Sequence, residues 1–369
     1  MGDPAPLIPD YAAGNIRGLI PALLGPSGTA ELPDWVPAVV GGCAQVVVLV
    51  LDGLGWDQLE QRRTIAPTLS QMQGGPITSV VPTTTATALT SITTGLTPAE
   101  HGLIGYRMAV GAEVLNVLRW SVGNEDRRRS LRPADLQPTS AFLGHDVAVV
   151  SPSHLETSAF TEAHLGGARP EGWRAASSIA PRVAELLGDG DRLVYAYYSG
   201  VDTIAHEQGF GAYYDAELAA ADALVRQILD VLPSGAALVV TADHGQIEVG
   251  DRIVALPPEI LDLLALQSGE ARFRWLHAKP GAAAEVEAMA RECFAATTWV
   301  VSVEQVLDEA WMGSAMRPAV RSRLGDVALV PHEPIGFFEP DDSGPYELVC
   351  RHGSLTSAEM RVPLLAAGG

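Results

Sequence analysis

Six side chains sit in short segments whose residue types suit metal chemistry. They are Asp52 in "VLVLDG", Asp202 and His206 in "GVDTIAHEQG", Asp243 and His244 in "TADHG", and His352 in "RHGS". Asp202 and His206 are four residues apart, which puts them on one face of a helical turn. Singly, each has a plainer reading: a helix ion pair, a turn aspartate, a surface histidine. Together, three aspartates and three histidines at strand ends and turns are ligand chemistry for two borderline divalent ions, with zinc the best match and manganese or iron as alternatives. Two such ions about 3.5–4 Å apart hold the attacking and leaving oxygens of an in-line phosphoryl displacement. A nucleophilic hydroxyl is at hand in "VPTTTATALTSITTG", which gathers seven threonines into the twelve positions from Thr83 to Thr94. Threonine is a mediocre helix former, so such a cluster needs a reason. One of the first three, Thr83, Thr84 or Thr85, is the candidate nucleophile, and the later ones read as capping or packing residues.

Elements that could position these groups are legible as apolar runs. "QVVVLVLDG", "RLVYAYYSGVD" and "AALVVTADHG" read as strands buried on both faces, and "HDVAVVSPS" as a shorter one. Between them, Leu218, Ala221, Val225, Ile228 and Leu232 recur at helical spacing. Alternating strands and helices predict an α/β, doubly wound, mostly parallel sheet. Ligands in such sheets lie beyond the carboxyl ends of strands, where Asp52, Asp202 and Asp243 all fall. The expected layout is an N-terminal arm over 1–44, a catalytic core over 45–245 and 346–369, and a smaller α+β insertion over 246–345. His277 and Lys279 of the insertion are candidates to reach the site, His101 reads as a turn residue and His332 as surface.

Composition narrows the classes. Across 369 residues, 47% are hydrophobic and 18% charged, which suits a well-cored globular enzyme. A net charge of -20 argues against a nucleic-acid duplex as partner. Cys43, Cys293 and Cys350 are scattered and odd in number, no basic-then-apolar leader is apparent, and no long apolar run suggests a membrane span. The expectation is a cytoplasmic protein. "GLG" at 53–55 lacks a third glycine at dinucleotide-binding spacing.

The five segments "VLVLDG", "PTTTATALTSITTGLTPAEHG", "SGVDTIAHEQG", "TADHG" and "RHGS", in that order, resemble the nucleotide pyrophosphatase/phosphodiesterase family of the alkaline phosphatase superfamily. The resemblance covers roughly 45–110, 190–250 and 350–369. It implies an alkaline-phosphatase-like fold, with Asp202, His206 and His352 on one metal and Asp52, Asp243, His244 and the Thr85 oxygen on the other. Thr85 is implied as nucleophile because it is the second threonine of the family's P-T-x-T and lies ten residues before Gly95 of the T-G-L-x-P element. The family's phosphoryl-binding asparagine falls at Tyr106, so Tyr106, Arg107 and Thr84 are candidate substrate contacts. The implied function is hydrolysis of a small-molecule phosphodiester or pyrophosphate through a phospho-threonine. Alternatives are a phosphomonoesterase or phosphonate hydrolase of the same superfamily, or a metal-stabilised binding protein without turnover. No C/S-x-P-x-R motif marks a sulfatase.

Overall fold

The continuous apolar run at Gln45–Leu51 forms β1, the middle of a seven-stranded sheet. The other strands are β2 (Gln73–Thr78), β3 (Ala148–Val150), β4 (Arg169–Pro170), β5 (Leu193–Tyr198), β6 (Ala236–Thr241) and β7 (Arg361–Gly368), in the order β2-β7-β6-β1-β5-β3-β4. This is a computed structural model, and it describes residues 5–25, 32–338 and 348–369. β1 runs parallel to both neighbours, with Val48 opposite Val239 on one side and Tyr195 on the other. The valines and leucines from Val47 to Leu51 are fully buried, as expected of a strand covered on both faces. Each such side chain contributes roughly 1.5–3 kcal/mol by leaving water. Only the β2–β7–β6 side is antiparallel, so β1, β5 and β6 deliver their carboxyl ends to one edge.

Helices named here are α1 (Thr85–Thr94), α2 (Ile179–Gly188), α3 (Gly200–Gln208), α4 (Ala212–Val231) and α5 (Ala283–Phe294). α4 packs on α2 and α3 through the periodic face, burying Leu218, Ala221, Val225 and Ile228, with Leu232 as its C-cap. Residues of the N-terminal stretch are woven into the core. Ile16, Leu19 and Ile20 are fully buried, and Arg17 donates from Nε to the Gly95 carbonyl at the end of α1 (3.1 Å).

A second, antiparallel four-stranded sheet comprises Leu264–Glu270, Phe273–Ala278, Val327–Pro331 and Thr298–Ser302, in that spatial order. It has its own apolar cluster, in which Leu276 and Leu329 meet Val286, Ala290 and Phe294 of α5. The domain boundary drawn at 345/346 lies outside the described residues. One buried ion pair ties this sheet to the core: Arg272 Nε and Nη2 hold both Glu359 carboxylate oxygens at 2.7 and 2.8 Å. A third small sheet, built from residues between Arg107 and Asp126, interrupts the core region.

Candidate active site

α1 forms against propensity. Every residue of it from Ala86 to Thr94 is buried, so tertiary packing rather than intrinsic preference holds the helix. The hydroxyls of Thr90, Thr93 and Thr94 donate to carbonyls one turn back, to Ala86, Leu89 and Thr90, at 2.7, 3.0 and 2.6 Å, which satisfies them inside the core. Thr84 is the N-cap and Thr85 the first helical residue. The first i→i−4 bond runs from Ala88 N to Thr84 O (2.8 Å), so the amides of Thr85, Ala86 and Thr87 precede the helical ladder. They and the helix dipole make a place for anionic oxygens.

Asp52 follows β1 directly, and the glycine after it has a geometric reason. Gly53 has φ +73°, and a Cβ there would come within 2.9 Å of Asp202 Cα. Asp202 lies in the first turn of α3, after the end of β5, with His206 one turn on. Asp243 and His244 follow β6, and His352 follows the short strand Cys350–Arg351.

The structure brings these groups together. One donor from each of Asp52, Asp243 and His244 lies within 4.8 Å of the others, and the same holds for Asp202, His244 and His352. His244 thus stands between two sets, where the expected division gave it to one. Its Nε2 is 3.5 Å from Asp52 Oδ1, 3.4 Å from Asp243 Oδ2 and 3.1 Å from Thr85 Oγ1. His206 Nε2 is 3.3 Å from Asp202 Oδ1, and its ring centroid is 5.2 Å from that of His352.

All three imidazoles are oriented alike. Nδ1 of His206 faces the Cys350 carbonyl (2.6 Å), that of His244 the Gly245 carbonyl (3.1 Å), and that of His352 the Thr83 carbonyl (2.8 Å). A carbonyl only accepts, so each Nδ1 carries a proton, which leaves Nε2 as the nitrogen that can face a metal. The carboxylates are held as well. Tyr197 donates its hydroxyl to Asp52 Oδ2, Gln246 Nε2 donates to Asp202 Oδ1 (3.0 Å), and the amides of Gly53 and His244 donate to Asp243 Oδ1 (3.0 Å each).

Two buried oxygens, Asp52 Oδ1 and Asp243 Oδ2, accept no hydrogen bond. Burial, then the charges of Asp243 and Asp202, push the Asp52 carboxyl well above its usual range. Burial, then His244 and His206, push the His352 imidazole well below its own. Buried carboxylates that repel one another, beside imidazoles anchored through Nδ1, fit divalent cations. The donor set is therefore suited to a metal.

The candidate substrate contacts lie at the start of α1 and around the strand Arg107–Val110. The Tyr106 hydroxyl accepts from Asn116 Nδ2 (2.7 Å), Arg107 starts the buried strand Arg107–Val110, and Thr84 is the cap of α1. His277 bonds to Ser268 (2.8 Å) in the second sheet and Lys279 Nζ to the Asp262 carbonyl (2.6 Å), so neither joins the cluster. His101 is fully buried and meets Ser91 of α1 at 2.9 Å. His332, expected at the surface, has a side chain only 4% exposed, because it packs near Trp299.

Sequence reasoning missed Tyr197, Gln246 and an apolar cavity of about 150 Å³ that Thr85 lines together with Leu89, Leu118, Phe160 and Tyr195. The alternation of Tyr195 and Tyr197 along β5, which aims both to one face, was the available signal.

A family model described as type I phosphodiesterase / nucleotide pyrophosphatase matches residues 46–355. No curated protein matches the chain. Among solved structures, murine ectonucleotide pyrophosphatase/phosphodiesterase 5, an inactive variant in complex with AMP, is 15% identical over 88% of each chain, with a TM-score of 0.66. Phosphonoacetate hydrolase from Sinorhizobium meliloti, in complex with phosphonoacetate, is 17% identical over 90% of each chain, with a TM-score of 0.64. At these identities the likeness concerns the fold, a mixed α/β architecture around a mostly parallel sheet.

Proposed function

The chain belongs to the type I phosphodiesterase / nucleotide pyrophosphatase family, and on that premise we propose that it hydrolyses a small-molecule phosphodiester or pyrophosphate through a covalent phospho-threonine at Thr85. Membership makes it a phosphoester hydrolase. The finer reading rests on one observation above the others: Thr85 Oγ1 lies 3.1 Å from His244 Nε2, at the edge of buried acidic groups with unsatisfied oxygens.

In this reading Asp52, Asp243 and His244, with the Thr85 oxygen, would hold one divalent ion, and Asp202, His206 and His352 would hold a second. The geometry also supports His244 as a neighbour of both. Zinc suits the mixed carboxylate and imidazole donors best, with manganese and iron as alternatives. Bound metal lowers the pKa of a coordinated hydroxyl and offsets negative charge on the phosphoryl group.

The chain's own residues do the rest. The Thr85 oxygen forms a bond to phosphorus while the bond from phosphorus to the leaving oxygen breaks. The hydroxyl proton ends on the leaving oxygen; a water then attacks phosphorus, the Thr85 ester is cleaved, and a proton of that water restores the Thr85 hydroxyl. The leading amides of α1 receive the phosphoryl oxygens. Tyr197 and Gln246 keep Asp52 and Asp202 oriented. Thr84, Tyr106 and Arg107 remain proposed substrate contacts.

A monoesterase or phosphonate hydrolase is the second reading, favoured by the likeness to phosphonoacetate hydrolase. The three free cysteines support a reducing, cytoplasmic setting, and among the described residues no helix is long and apolar enough to cross a membrane. The test is to count metal by mass spectrometry and to assay bis-p-nitrophenyl phosphate against p-nitrophenyl phosphate. About two ions per chain and preference for the diester support the reading. Monoester preference transfers it to the second reading. Bound metal without turnover of either ester identifies a binding protein and overturns both.

A further inference from the structure

The cavity beside Thr85 has a definite size and chemistry. Its volume is about 150 Å³, and its walls include Leu89, Leu118, Leu155, Phe160, Leu165 and Tyr195. Pockets for whole small ligands run to about 300–1,000 Å³, so this one can enclose only part of a substrate. A dry cavity of about 150 Å³ lined by aliphatic and aromatic side chains takes up benzene in another protein. A nucleoside, with a ribose and a base, exceeds it.

No Asp, Glu, Lys or Arg is among the residues lining the cavity. Its one imidazole, His164, gives its Nδ1 proton to the Phe160 carbonyl (2.7 Å) and stacks on the Phe160 ring at 4.1 Å. Burial lowers its pKa to about 4, so it is uncharged at neutral pH. A carboxylate such as that of phosphonoacetate finds no cation here. The Tyr195 hydroxyl is enclosed without a hydrogen-bond partner on a side chain only 1% exposed, an arrangement that calls for a further polar group close by.

We propose that this cavity takes one ester group of the substrate, an uncharged group no larger than a single six-membered ring or a short branched alkyl chain. The substrate class is then a small aryl or alkyl phosphodiester rather than a nucleotide. The assignment of the cavity as a substrate subsite rests on the reading of Thr85 as the nucleophile, whereas its size and charge do not.

The test uses uncharged probes that need no turnover. Saturation-transfer NMR with benzyl alcohol and with 1-naphthalenemethanol would be recorded on the full chain, metal-free and zinc-loaded. Leu118, 38% exposed, can be replaced without emptying the core, so Leu118→Trp serves as the closing variant, and Leu155→Phe at another lining position takes its place if the first fails to fold. Transfer to benzyl alcohol, about tenfold weaker affinity for the naphthyl probe and loss of the signal in the closing variant are expected. Equal affinity for the two probes, no transfer to benzyl alcohol, or an unchanged signal in the variant overturns the inference. Binding of benzyl alcohol as expected, in a protein that turns over no phosphoester, leaves the cavity's chemistry standing and removes its role in catalysis.

Discussion

His352 Nδ1 donates to the carbonyl of Thr83, 2.8 Å away, two residues before Thr85. The same threonine receives the Gly353 amide on its Oγ1 (3.0 Å) and donates from it to the Ser354 carbonyl (2.8 Å). A candidate metal ligand therefore sits on a loop that is locked to the loop leading into the candidate nucleophile, although 269 residues separate His352 from Thr83. Replacing Thr83 by Val keeps the shape and removes both hydroxyl bonds, leaving the Gly353 amide and the Ser354 carbonyl without them in a buried place. We expect a loss of about 1–3 kcal/mol in unfolding free energy and a fall in kcat. Denaturant unfolding beside a turnover assay reads both, and an unchanged kcat would separate the two loops functionally.

Gly53 meets the α-carbon of Asp202 so closely that no side chain fits, and its φ of +73° disfavours one in any case. Gly53→Ala should push Asp202 out of line with little effect on the sheet. Turnover is expected to fall on the order of 10²-fold, with less metal retained per chain. Full metal content with normal turnover would show that the close approach is not needed.

Tyr197 holds Asp52 through its hydroxyl. Tyr197→Phe keeps the ring in β5 and frees the carboxylate to rotate. Metal affinity should drop roughly 10–100-fold, as when other groups that orient ligands are lost. Competition with a chelator measures it, and unaltered affinity would count against Asp52 as a ligand.

His101 and His164 give the protein a pH signature independent of metal. Burial, then Arg317 and Arg323, lowers the His101 pKa to about 3, and burial lowers that of His164 to about 4. Unfolded, both titrate near 6.5, so between about 4 and 6.5 the unfolded chain binds more protons and stability rises with pH. Each histidine contributes a slope of up to roughly 1.4 kcal/mol per pH unit in that window, and the stability gained is present in full above the window and lost on acidification. Unfolding at pH 7 and pH 5 should differ accordingly, and His164→Gln should flatten the dependence. A stability that does not change between those values would contradict it.

Much of the scaffold was legible because β1, β5 and β6 are continuous apolar runs of strand length, rich in β-branched and aromatic residues. β2 was not, since "QGGPIT" carries two glycines and a proline that belong on an edge. The hairpins between Arg107 and Asp126 were also missed, for two of their strands are only two residues long. Within the site, the aspartates could be placed because each ends a strand or opens the helix after one. Tyr197 and Gln246 could not, because a hydrogen bond to another segment leaves no local pattern. The helix at Thr85–Thr94 runs against propensity and depends on burial that only the folded chain supplies.

The central claim, that Thr85 carries the phosphoryl group, is tested most directly by trapping it. Zinc-loaded protein and its Thr85→Ala variant would be mixed with bis-p-nitrophenyl phosphate, quenched in acid within the first turnovers, and digested for peptide mass spectrometry. The account predicts an aryl phosphate adduct on Thr85 in the native protein, none in the variant, and turnover lower by more than about 10³-fold in a variant that keeps its metal. An adduct on another residue, or turnover that survives Thr85→Ala, would contradict it.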